Sequence, residues 1–165
     1  MALQASQVNR TYPFILGGTA LVKENETLLQ DASRTVILDQ YTVMAQVAAS
    51  RKWVPWTTVT ATDGSAVPAG ILMNDGGISA AALAAGDVTG AVILVGTNVE
   101  VDTGQLVFDK GSTGQGTALA LTTVFTGNAA GTGSATPYIL LVAERLLNMI
   151  GIYPKTAFVA AKAEN

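Results

Sequence analysis

The chain has no cysteine and no histidine. Without cysteine there can be no disulfide scaffold, thiolate metal site or thiol nucleophile. Without histidine the commonest general base and the commonest zinc ligand are missing, and much hydrolase chemistry goes with them. Charge is scarce as well: 13% of residues are charged and the formal net charge is −3, against a norm of about 25% charged. Such a chain offers no basic field to nucleic acid or anionic lipid. Between Trp53 and Asp109 there are acids (Asp63, Asp75, Asp87, Glu100, Asp102, Asp109) and no Lys or Arg. Long apolar runs are absent too. The best candidate, Ile78 to Val101, is interrupted by Asp87 and falls short of the ~18–20 residues of a spanning helix. Met1 to Phe14 lacks the charged start and apolar block of a secretory signal. These absences predict a soluble protein of a reducing compartment that engages neither nucleic acid nor membrane.

What is present suits one domain with an arm. A chain of 165 residues buries roughly 70% of its unfolded surface and needs no staple to hold a core. Residues 1–33 show no sustained period of 2 or 3.6 and one aromatic knot, Tyr12-Pro13-Phe14-Ile15-Leu16, before Gly17-Gly18. They read as an extended arm. Residues 34–165 read as a β-rich domain. Thr42 to Val47 alternates loosely. Trp53 to Val59 is aromatic and β-branched, with Pro55 marking an edge or a bulge. Asp63-Gly64 marks a tight turn and Ala69 to Met73 a short buried strand. Ala91 to Val95, Asn98 to Val101 and Leu106 to Phe108 continue the pattern. Ile78 to Ala85 reads as a helical turn closed by Gly86, or a loop. The Gly/Thr-rich stretch 111–136 reads as a surface excursion with one alternating piece at Thr117 to Phe125. Helix signals then run from Thr136 to a C-cap at Gly151, and a closing strand is expected at Thr156 to Val159. The fold class is mainly β: a small sandwich or barrel-like domain with one C-terminal helix and an extended N-terminal arm.

Few residues point to chemistry. Asp102-Thr103-Gly104 follows an alternating strand, as the carboxylate of an aspartic peptidase does, and a dimer would pair two of them. The plainer reading is a strand-end Asp-x-Gly turn. Gly111 to Thr117 resembles a phosphate loop but has no Gly-Lys-Ser/Thr. The middle acids are scattered rather than set at the alternate spacing of a calcium loop. No catalytic residue, metal site or cofactor is assigned, and the chain is read as a non-enzyme. Trp53 and Trp56 are three apart, so on a strand they face opposite ways. One is expected in the core and the other at an oligomer or lattice contact, with a carbohydrate platform as the alternative.

The segments Ser50-Arg51-Lys52-Trp53-Val54-Pro55-Trp56, Thr62-Asp63-Gly64-Ser65 and Pro68-Ala69-Gly70-Ile71-Leu72 resemble the head decoration (cement) proteins of tailed phages, the group typified by the lambda head decoration protein. Arg34 to Leu38, Ala91 to Val95 and the late helix running into Gly151-Ile152 agree with that pattern. The stretch 111–136 is longer than the family leads one to expect. The resemblance implies a mostly β protein on the outer surface of an expanded icosahedral capsid, made in the host cytoplasm. It implies the major capsid protein and further copies of the chain as partners, usually in a homotrimer, with a dimer as the alternative. Physical argument then places the capsid clamp in the arm, at Arg10, Tyr12, Pro13, Phe14, Ile15, Leu16 and Lys23. The knot is apolar, Pro13 preorganises it, and Arg10 and Lys23 flank it. A competing reading has the knot closing the protein's own β core. A β-rich receptor- or carbohydrate-binding module is the alternative function, and a dimeric aspartic peptidase a more distant one.

Overall fold

A computed structural model describes residues 14–56, 61–96, 98–102, 105–109, 119–120 and 146–155. It is mainly β, as the sequence predicts. Five strands close a barrel in the order β2-β4-β3-β5-β6: β2 Val22–Leu28, β3 Val43–Gln46, β4 Trp53–Pro55, β5 Pro68–Leu72 and β6 Val88–Leu94. Beside the barrel lies a three-stranded sheet, β1-β7-β10, made of β1 Ile15–Gly18, β7 Val99–Asp102 and β10 Ile152–Lys155. A short ribbon pairs β8 Val107–Phe108 with β9 Leu119–Ala120. A short helix, α1 Ala80–Ala85, is capped by Ser79, whose side chain accepts from the Ala82 N–H, and it ends at Gly86.

Alternation along the central strands splits the core in two. Leu28, Met44, Trp53, Leu72, Ala91 and Ile93, drawn from all five barrel strands, fill one cluster, with Leu38 and Leu83 of α1 packed against them. This is the barrel interior. The residues that alternate with them, Val43, Ala45, Ile71 and Leu94, face outward and meet Val99 and Val101 of β7 and Ile152 of β10 in a second cluster. β3, β5 and the Ala91–Leu94 half of β6 are therefore covered on both faces. Close approach inside the barrel fixes Gly70: a Cβ there would lie 2.6 Å from Ile93 Cγ2 and 2.7 Å from the Leu94 carbonyl oxygen.

Several local expectations hold. The Asp63 carboxylate accepts from both the N–H and the hydroxyl of Ser65 while Gly64 takes φ 97°, which is the Asx turn that Asp-Gly announces. Pro55 costs the barrel no ladder bond. It pairs with Met44 on one side, and the β2–β4 contact on the other is limited to Leu28 and Trp53. Near the C-terminal end a helical turn at 146–149 stops at Gly151, which adopts φ 79°. The remainder of the predicted Thr136–Gly151 helix, the excursion 111–136 apart from β9, and the predicted strand Thr156 to Val159 lie outside the described residues. The strand the structure shows in that region comes earlier, at Ile152–Lys155.

Residues 14–33 differ from the expected arm. They contain β1 and nearly all the chain needs for one barrel wall, since β2 pairs with β6 from Val22↔Leu94 to Leu28↔Val88. The ladder carries register shifts between Lys23 and Glu26 and between Glu26 and Thr27. Each shift reverses the side-chain alternation locally, so the period of 2 that marks a strand is erased from the sequence.

Candidate interaction surface

The aromatic knot enters the structure at Phe14. Its ring is fully buried in the outer core cluster and stacks on Tyr41, with centroids 4.2 Å apart and planes 10° from parallel. Ile15 packs against the same cluster. Both residues were expected to meet a capsid partner, and the structure instead uses them to close the protein's own core. The physical reason is the ladder. Ile15 is opposite Val101 and shares its barrel-facing side of the sheet, while Phe14, just before β1 and tied to it by the Asp102 N–H bond to its carbonyl at 2.8 Å, packs into the same cluster. Leu16, at the register shift in β1, is 40% exposed and remains open to a partner. Lys23 is exposed too, but it belongs to β2 of the barrel rather than to the sheet that holds Leu16. Arg10, Tyr12 and Pro13 lie outside the described residues.

Both tryptophans are buried, which corrects the expectation of an oligomer or lattice contact. Trp53 fills the barrel interior and Trp56 the outer cluster. Their spacing does send them to opposite faces, yet each face is covered: one by the closed barrel, the other by the β1-β7-β10 sheet. Their indole N–H groups are satisfied inside the protein, Trp53 donating to Glu26 Oε2 at 2.6 Å and Trp56 to the Ala66 carbonyl at 2.9 Å. Buried rings of this kind give no stacking platform to a sugar.

Asp102 ends β7 in a turn. Gln105 donates to its carboxylate through Nε2 at 2.9 Å and to its carbonyl through the backbone N–H at 3.2 Å. Thr103 and Gly104 lie outside the described residues. Among the described residues no three carboxylates gather at metal-binding distance. The scattered acids instead fasten loops. The Lys52 ammonium and the Gln30 N–H hold the Asp87 carboxyl below its ordinary value, and Ser65 does the same for Asp63.

One constellation went unread in the sequence. The Arg34 guanidinium is buried and donates through all three of its nitrogens, to both oxygens of Asp109 (2.5 and 3.0 Å) and to the carbonyls of Val36 and Ile37. A separation of 75 residues hides this pair from any local pattern. Together with the Val107 N–H bond to the Tyr41 carbonyl, it pins β8 to the loop that precedes β3.

The ends of the small sheet define the surface that remains. β1 runs antiparallel to β7 and β10 parallel to it, with Ile15 opposite Val101 and Lys155 opposite Asp102. The outward positions of that sheet carry Leu16, Glu100, Tyr153 and Lys155, the last lying 4.0 Å from the Glu100 carboxylate. Compared with models of known protein families and with the sequences of curated proteins, the chain matches none.

Proposed function

We propose that this chain is a capsid decoration protein: it binds the outer surface of an expanded icosahedral phage head and holds it against the pressure of packaged DNA. The observation that carries the reading is that the described segments resembling the tailed-phage family are built into the barrel. Ser50 to Trp56 hold the β3–β4 turn and β4, and Thr62 to Leu72 hold the Asp63 turn and β5, the two strands that flank β3. The clamp in this proposal is smaller than the sequence suggests. Phe14 is its root in the core, and the contacts to the major capsid protein belong to the residues before it, Arg10, Tyr12 and Pro13, together with Leu16.

Mass action supplies the mechanism. A protein that binds only the expanded lattice shifts the equilibrium toward it by RT ln(1 + [L]/Kd) per site. A closed oligomer, a trimer in this proposal, raises the local concentration of each clamp once the first has bound. No catalytic step is involved, and Asp102 is assigned to its turn. The test is co-sedimentation of the purified chain with undecorated expanded heads, followed by heating. Decorated heads are expected to rupture at higher temperature than bare ones. Saturating protein that leaves the rupture temperature unchanged, or that fails to sediment with the heads, refutes the reading.

A further inference from the structure

The chain holds two Asp-Gly sequences, Asp63-Gly64 and Asp75-Gly76, and no Asn-Gly. Asp-Gly is the setting most open to a slow internal reaction, because glycine has no Cβ to shield its own nitrogen. That nitrogen attacks the side-chain carboxyl carbon of the aspartic acid. The carboxyl hydroxyl leaves with the amide proton as water, and a five-membered succinimide closes. Water then opens the ring. Attack at the side-chain carbonyl restores aspartate, whereas attack at the backbone carbonyl leaves the chain running through the side-chain carboxyl, as isoaspartate. One water leaves and one returns, so the change is an isomerisation that needs no other reactant.

The fold restrains the two sites unequally. The Asp63 carboxylate accepts from the Ser65 N–H at 2.9 Å and from its hydroxyl at 2.6 Å. These bonds hold it below its ordinary value, in the ionised form that cannot release water. Bringing the Gly64 nitrogen to the carboxyl carbon also requires rotation about the Asp63 Cα–C bond. That rotation moves the Asp63 carbonyl, which accepts from the Ala48 N–H at 2.8 Å. Asp75 has none of these restraints. Its side chain is exposed and makes no hydrogen bond or ion pair with a described residue. It stands at the tip of a turn closed by the Gly77 N–H bond to the Asn74 carbonyl at 3.0 Å. Gly76 follows at φ 71°, with open space where a Cβ would be. Either side of the tip is moored: the Asn74 carboxamide oxygen accepts from the Val92 N–H at 2.8 Å, and Ile78 bridges to Leu38. Rotation at Asp75 therefore opens one hydrogen bond and leaves the moorings in place.

We infer that Asp75 is a modification site: the folded chain closes a succinimide between Asp75 and the Gly76 nitrogen and converts it to isoaspartate, while Asp63 is spared. The product carries an extra methylene in the main chain, between the mooring at Asn74 and the one at Ile78. Gly77 cannot move inward to absorb it, since even a Cβ there would lie 2.4 Å from the Leu38 carbonyl oxygen. The added length is therefore taken up by Gly76, on the open side of the turn. The α-carboxylate freed by the rearrangement projects into solvent there, as the group that an isoaspartate-specific carboxyl methyltransferase esterifies.

Ageing the full chain in mildly acid buffer, where part of each carboxyl is protonated, tests this. Peptide mapping locates isoaspartate, and methylation by such a methyltransferase with labelled S-adenosylmethionine counts it. In the folded chain isoaspartate is expected to accumulate at position 75 at least about ten-fold faster than at 63, because hydrogen bonds to an ionised carboxylate must first be given up at Asp63. In urea the two rates are expected to converge. Ser65→Ala is expected to speed the reaction at Asp63 and to leave Asp75 as it was. Isomerisation at Asp63 as fast as at Asp75 in the folded chain overturns the inference. So does an unchanged ratio in urea, since neighbouring sequence and not the fold would then set the rates. Isoaspartate that forms at position 75 in urea but not in the folded chain overturns it as well, because the turn would then protect Asp75. An Asp63 rate untouched by Ser65→Ala overturns the protection assigned to Ser65.

Discussion

Phe14 is where stability and partner binding separate most sharply, because a clamp residue and a core residue answer differently to truncation. In Phe14→Ala a fully buried ring disappears from a cluster that includes Val99, Val101, Leu106 and Ile152. Deleting a buried Phe costs about 3–5 kcal/mol through lost transfer energy and the cavity left behind. The stack on Tyr41 places the value toward the top of that range, since such pairs add about 0.5–1.5 kcal/mol beyond burial. Tyr41 is itself held at φ 65°, an unusual conformation for a bulky residue, and its ring loses its cover with Phe14. At roughly 2–4 °C per kcal/mol for a domain of this size, the midpoint of thermal unfolding falls by about 10 °C or more. Circular dichroism melts of the free protein measure it, with Leu16→Ser as the comparison. Leu16 is 40% exposed, and surface replacements of this kind stay within about 0.5 kcal/mol. If Phe14→Ala melts within 2 °C of the natural chain, the ring is not part of the core and the assignment of residues 14–18 to the body is wrong.

Three further outcomes follow from single contacts. Asp109→Ala strands the Arg34 guanidinium among carbonyls with no counter-charge, and is expected to cost about 3–5 kcal/mol in urea unfolding; a loss below 1 kcal/mol would show that the pair is solvated. Gly70→Ala forces a methyl against the Leu94 carbonyl, which is backbone and cannot rotate aside. A loss of about 1–3 kcal/mol is expected, and an unchanged melt contradicts it. Asp87 titrates below its ordinary 3.8 because of Lys52 and the Gln30 N–H. A carboxyl with a depressed folded pKa stabilises above its unfolded value, and that contribution fades as pH falls through the folded one. In Lys52→Ala the Asp87 carbon resonance is therefore expected to titrate closer to 3.8, and a midpoint unchanged from the natural chain refutes the pairing.

Local chemistry was legible where one short segment sets it. Asp63-Gly64, the Ala80–Ala85 turn of helix closed by Gly86, and the buried Pro68–Leu72 strand all carry their signals within a few residues. Legibility fails where the cause is distant. VKENETL, the sequence of β2, looks like solvated arm because register shifts break its alternation and because β6, more than sixty residues later, supplies its partner. The spacing of Trp53 and Trp56 sends them to opposite faces, but nothing in a three-residue spacing reveals that a second sheet covers the outer one. The parallel β10 joins β7 across some fifty residues, and its Pro154 disguises it as a loop. The anchor for β8 depends on Arg34 and Asp109, each of which alone reads as an ordinary surface charge.

The placement of β1 and β10 on either side of β7 also decides how the body carries load. Tension applied along the strand axes at Ile15 and Lys155 acts at one end of the sheet, where β1 begins and β10 ends. The ladder bonds lie across those axes, so a pull stretches the bonds of each strand together, in shear, instead of opening them one at a time from a frayed end. Ile15 and Ile152 would also have to be dragged through the packed cluster they share with Val99 and Val101. A pull directed sideways on β1 meets neither resistance. The sheet is stiff along one direction, that of its own strands.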